Sequence, residues 1–151
     1  MSTKSSRMTV EEGVRAMVRL TPLMVGRTKR ARPPEELRTL NLAPRHLSML
    51  GYLLLDGPMG VNQLAERLEV APATVSLMVS ELSRRGVITR TEDERDRRRT
   101  IVAIAEGSRA AVDGWLAKGW EAWANALEPL TASQRAVVVE TIQRYIDQFE
   151  D

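Results

Sequence analysis

The chain has 151 residues, of which 43% are hydrophobic and 4% aromatic, with one histidine, no cysteine and a formal net charge of +2. That apolar content supports a sizeable core in one domain or two fused lobes and excludes global disorder, while the missing cysteine excludes disulfide scaffolds, thiolate metal sites and thiol-based redox sensing. No apolar run approaches the roughly 20 residues of a membrane span, and the polar segment from Met1 to Met8 lacks the apolar stretch of a secretory signal, so a cytoplasmic protein without membrane contact is expected.

Thr9-Val10-Glu11-Glu12 reads as a capping box, and the helix after it carries Val14, Met17, Val18, Met24 and Val25 at helical spacing. It should fade near Arg30, because Pro33-Pro34 cannot continue it; Pro34 is then placed to open a short turn through Leu40. A second helix is expected from Pro44 to about Asp56, apolar nearly all round and therefore central, and stopped by Gly57-Pro58. A third, about Asn62 to Leu68, has Asn62 as its expected cap. After a tight turn at Glu69-Val70-Ala71, a fourth helix starts with Pro72 and ends at Gly86. Val87 to Thr91 and Thr100 to Ile104 are the only convincing strands, joined by an exposed loop from Glu92 to Arg99. From about Ser108 a long helix places Val112, Leu116, Trp120, Trp123 and Leu127 on one stripe until Pro129 interrupts it. Thr131-Ala132-Ser133-Gln134 is a second capping box, and the last helix aligns Val138, Ile142, Tyr145 and Phe149.

The third and fourth helices with their tight turn form a helix-turn-helix. On the fourth, Val75, Met78, Val79 and Leu82 share an inward face. The opposite face presents Ala73, Ser76, Leu77, Ser80 and Arg84, with Thr74 beside it, small enough to approach a major-groove floor. Arg84 and Arg85 stand where phosphates would be met. A helical hairpin with a solvated face fits this pattern equally well until the next segment is considered. Residues 1–100 carry 18 Lys and Arg against 12 Asp and Glu, whereas residues 101–151 carry 4 against 8. The basic residues are densest from Arg84 to Arg99, which suits a polyanion contact. An arginine-rich hairpin directly after a recognition helix is what a DNA-binding wing requires, since guanidinium groups enter a narrow minor groove. The other reading is a solvated loop of mutually neutralising charges. Asp96, two residues from Arg98, would share one side of an extended strand with it and brace it.

Gly60-Val61-Asn62-Gln63-Leu64-Ala65-Glu66-Arg67-Leu68, Ala71 through Ser76, Gly86 through Arg90 and Asp93 through Arg98 resemble signatures of the MarR family, with Asp96-Arg97-Arg98 matching its wing motif. The resemblance follows the element order over roughly residues 10 to 150. It implies a mainly α fold with a small β-hairpin wing: a winged helix-turn-helix DNA-binding domain at 43–105, flanked by dimerisation segments at 1–42 and 106–151. It further implies that Arg98 enters the minor groove, oriented by Asp96; that Arg97 and Arg99 contact phosphate or groove; and that Thr74, Ser76 and Leu77 lie where the family reads bases. Two departures stand out. Ala71 replaces a frequent capping serine, a loss of about 1 kcal/mol, and Leu77 replaces a frequent arginine, exchanging a guanine contact for a thymine-methyl contact. The Ile104-Ala105-Glu106-Gly107 stretch also departs from the family's usual Leu-Thr and is one residue short before the glycine.

The apolar stripes of the first and last helices exceed what a small winged domain covers, so a homodimer reading a pseudo-palindromic operator in double-stranded DNA is expected; packing of both stripes within the monomer is the alternative. The family resemblance implies a cleft for small aromatic or phenolic acids, for which Met17, Met24, His46, Met49, Tyr52, Trp115 and Trp120 are candidates, although Met and aromatic residues at helical spacing also serve simply as core. One histidine and no cysteine offer no transition-metal site and no cofactor is expected. No nucleophile–base pair or phosphate-cradling glycine loop marks an enzyme. The sequence therefore reads as a DNA-binding transcription regulator of the repressor class, released by an organic effector. The competing reading is a winged-helix module for protein interaction or non-specific DNA binding, with no effector.

Overall fold

A computed structural model describes residues 7–30 and 32–150; most of the polar Met1 to Met8 segment lies outside them. The elements are α1 (Val10–Lys29), α2 (Glu35–Arg38), α3 (Pro44–Asp56), β1 (Met59–Gly60), α4 (Val61–Leu68), α5 (Pro72–Arg84), β2 (Ile88–Glu92), β3 (Thr100–Ile104), α6 (Glu106–Leu127) and α7 (Ala132–Asp147). Both capping boxes form. Glu12 N–H donates to Thr9 Oγ1 at 3.2 Å while Thr9 N–H donates to the Glu12 carboxylate at 2.8 Å, and Thr131 and Gln134 repeat the exchange at 2.9 and 3.2 Å. Pro22, which the periodicity ignored, lies inside α1 and removes one donor from its ladder.

At α4 the cap differs from the expectation. Gly60, not Asn62, is the N-cap, and its N–H donates to Gln63 Oε1 at 3.0 Å. The glutamine three residues on satisfies an amide of the helix start, so Asn62 falls within the first turn. Glu69 ends α4 in the left-handed region at φ 53°. Pro72 opens α5 behind Ala71, which supplies no side-chain cap. Beyond its end, Gly86 turns the chain at φ 73° and Val87 N–H donates to Leu82 O at 3.0 Å.

The three-stranded antiparallel sheet has the order β1-β3-β2. The hairpin register runs from Ile88 opposite Ile104 to Glu92 opposite Thr100. The third strand, unforeseen because two residues carry no periodicity, pairs Met59 with Val102 and Gly60 with Ile101. It ties the wing to the start of the helix-turn-helix.

One core fills the middle of the chain. Leu50 and Leu53 of α3, Leu64 of α4, Val87, Ile88 and Val102 of the sheet, and Val112 and Trp115 of α6 close over Val75, Met78, Val79 and Leu82. All four residues of the expected inward face of α5 are therefore buried, each stabilising by about 1.5–3 kcal/mol on the usual area scale. By contrast, neither α1 nor α7 contributes a buried residue.

Candidate nucleic-acid interface and inter-helix cavity

With one face of α5 fixed in the core, its 3.6-residue period turns Ala73, Ser76, Leu77 and Arg84 to solvent, while Thr74 and Ser80 are half-buried. Leu77 is 57% exposed. Arg84 leans back along its own helix, Nε donating to Ser80 O at 3.4 Å. Arg85 is turned away from the outer face: its guanidinium donates to the Leu40 carbonyl, one of the acceptors left free where α2 ends.

The wing loop is closed by its own backbone. Asp93 N–H donates to Arg99 O, and Arg99 N–H donates to Asp96 O, both at 2.9 Å. The acidic residues that look out of place in a basic loop shape it. Asp93 Oδ1 accepts Arg95 N–H at 3.0 Å, and Asp96 Oδ1 accepts Arg98 N–H at 3.1 Å and Arg98 Nε–H at 3.4 Å. Asp96 and Arg98 thus meet in a side-chain-to-backbone turn, not along an extended strand as their spacing suggested. An exposed pair of this kind adds little stability. The Arg97, Arg98 and Arg99 residues are all exposed.

The wing and the helix-turn-helix enclose an open cavity of about 590 Å³ lined by Val61, Asn62, Ser76, Asp96, Arg98, Arg99 and Thr100. It joins the base-reading candidate Ser76 to three wing candidates. It also adds Asn62, whose position in the first turn of α4 was hidden while it was read as a cap.

The seven effector-pocket candidates separate. Met24 and Trp115 come together in a cavity of about 450 Å³ between α1, the connector, α3 and α6, with Thr28, Lys29, Leu47, Ser48 and Trp123. Trp115 is 9% exposed, and its Nε1–H, buried, has no hydrogen-bond partner. Met49 is wholly within the core. His46 is buried and paired at both ring nitrogens, Nδ1 accepting Ala43 N–H at 2.9 Å and Nε2 lying 3.3 Å from Glu81 Oε2 on α5. Burial pushes this imidazole below its ordinary value, against the pull of Glu81. Tyr52 lies under the Arg67 guanidinium, 5.7 Å from ring centre to Cζ. Met17 is exposed on α1, and Trp120 lines a different, mostly apolar groove of about 900 Å³ between α3 and α6, with Leu54, Leu55, Leu116, Trp123 and Leu127. Lys29, Thr28 and Ser48 were missed because polar residues on an apolar stripe carry no periodic signal. Among the described residues no group of three or more His, Cys, Asp or Glu could hold a metal ion, and no helix is long and apolar enough to cross a membrane.

Residues 44–100 match the sequence model of the MarR family. The HTH-type transcriptional repressor MdtR of Bacillus subtilis is 36% identical over 64 residues, 42% of this chain and 41% of the relative; the chain thus aligns with about two fifths of that protein's length. Among solved structures, Staphylococcus aureus MepR in its DNA-binding conformation superposes with a TM-score of 0.70 at 16% identity, over 91% of this chain and 98% of that one. The PcaV transcriptional regulator of Streptomyces coelicolor, solved in complex with its natural ligand, gives 0.57 at 21% identity, over 99% and 100%. The likeness covers the whole fold, helices α1 and α7 included.

Proposed function

We propose that this chain, whose residues 44–100 match the MarR family model, is a MarR-family transcription regulator that binds double-stranded DNA in a sequence-specific way. The observation that carries this reading is the shared cavity between the outer face of α5 and the arginine wing. In the proposal, Ala73, Thr74, Ser76, Leu77 and Ser80 face the major groove and Arg84 a flanking phosphate. Arg98, oriented by Asp96, enters the adjacent minor groove beside Arg97. Repression is the favoured output, in keeping with the name of the MdtR relative. Titration of the DNA flanking the gene against random duplex, over a salt series, tests it. Wild type should prefer the flanking DNA with a steep salt slope, about 0.9 per neutralised phosphate, and Arg98→Ala should weaken binding. Equal affinity for both duplexes sinks sequence-specific regulation and favours the non-specific or protein-interaction module.

The active species in this reading is a homodimer on a pseudo-palindromic operator, with 1–42 and 106–151 as its dimerisation segments and 43–105 as the DNA-binding domain. What supports it is apolar surface left exposed among the described residues: α1, α7 and the Trp120 groove. A solution mass near twice 16.9 kDa is expected; a monomer at micromolar concentration counts against it.

The effector reading rests on Trp115. A buried N–H without an acceptor costs about 1–3 kcal/mol, and here its ring lines a cavity near Lys29. An aromatic acid would supply the acceptor and a charge partner for the lysine. Addition of such acids should raise the melting temperature of wild type and leave Trp115→Phe less affected; no shift with any acid makes the protein a constitutive binder.

A further inference from the structure

Gly60 is buried yet conformationally ordinary, with φ −75° and ψ 159°. Any residue adopts these angles, so the backbone does not call for glycine here. The space beside it is taken by a side chain. A Cβ at Gly60 would stand 2.8 Å from Arg99 Nε, 3.1 Å from Nη2 and 3.4 Å from Cζ, so the Arg99 guanidinium lies across the one face of Gly60 that a side chain would occupy. Gly60 is both the end of β1, opposite Ile101 of β3, and the N-cap of α4. Arg99 closes the wing loop through its own N–H and C=O. The same residue therefore touches the root of the helix-turn-helix with its side chain and fixes the wing with its backbone.

We propose that Arg99 is a positioning residue: its guanidinium, seated on Gly60, locks the wing to the start of α4 and so sets where Arg98 stands relative to the recognition helix α5. This rests on the DNA-binding reading above and assigns Arg99 a different task from Arg97 and Arg98. Three facts support it. The guanidinium stands where a side chain at position 60 would be, so any residue but glycine must displace it. Asp96, which orients Arg98, accepts the Arg99 N–H through its carbonyl at 2.9 Å, so a shift of Arg99 is passed to the Asp96–Arg98 pair. Arg98 and Arg99 also share the cavity with Ser76 of α5, so the distance that the clamp fixes is the one between the two DNA-reading surfaces.

The test combines Gly60→Ala, which evicts the guanidinium but keeps the arginine, with Arg99→Ala. Each should weaken operator binding roughly tenfold, and the double variant should lose no more than either alone. In an Arg98→Ala background Arg99→Ala should change little, because its effect passes through Arg98, and the salt slope should stay that of the parent. Additive losses, a Gly60→Ala variant that binds like wild type, or a slope reduced by about one phosphate would overturn the proposal in favour of a direct DNA contact by Arg99. Amide hydrogen exchange without DNA supplies an independent arm. The Asp93 and Arg99 amides should exchange faster in both single variants, and unchanged rates overturn the clamp. If wild type prefers no DNA, the regulator reading fails, and the clamp stands or falls on exchange alone.

Discussion

His46→Leu removes two polar ties at once from a side chain that is only 4% exposed. The Ala43 N–H, which donates to Nδ1 at 2.9 Å, belongs to the start of α3 and has no preceding helical turn to accept it. The Glu81 carboxylate, 3.3 Å from Nε2, would face a methyl group. Leaving such groups unpaired costs about 1–3 kcal/mol, which at fixed protein concentration lowers the melting temperature by roughly 2–12 °C for a chain of this size. Acid acts at the same place. Burial holds the folded-state imidazole below its ordinary value; the Glu81 hydrogen bond and charge oppose this, while Arg45 and Arg85 add to it. Unfolding therefore takes up a proton between the folded and unfolded values. The histidine's contribution is complete above about pH 6.5 and is lost as pH falls through the depressed folded value. Protonation also places a second N–H on Nδ1, facing the Ala43 donor. Urea midpoints for wild type and His46→Leu, measured from about pH 8 to about pH 5, should converge in acid. A gap that stays constant, or widens as pH falls, refutes the reasoning.

Leu82→Ala, in the centre of the core with no exposed surface, should cost about 2–5 kcal/mol in chemical unfolding. Ala71→Ser supplies the absent cap at a backbone already extended, φ −63° and ψ 144°, and should raise stability by about 1 kcal/mol, read as a higher melting temperature. Leu77→Arg on the exposed face of α5 should shift operator preference toward guanine at one position of each half-site by about 1–3 kcal/mol, read by binding selection from a randomised duplex pool.

The long elements and the inward face of α5 were legible because burial imposes a period, and the capping boxes because their hydrogen bonds are local. What escaped depended on contacts across the chain. β1 exists only because Val102 and Ile101 pair with it. The α4 cap moved from Asn62 to Gly60 because the side chain that reaches back is Gln63. The effector candidates were chosen by residue type, and type does not tell a core methionine such as Met49 from a cavity-lining one such as Met24. The seat of Arg99 on Gly60 had no sequence signal, since glycine is usually read as a turn and here marks a space filled by a residue distant in the chain.

The N-terminal half of α1 is exposed among the described residues, and that bears on how the protein is made. A chain leaves the ribosome from its N-terminus and domains usually condense in that order. Here α1, made before α6, emerges with Val10, Val14, Met17 and Val18 uncovered. The winged module behind it cannot close until Val112 and Trp115 of α6 arrive to complete the core. For most of synthesis the apolar face of α1 is thus open to chaperones and to neighbouring chains on the same polysome.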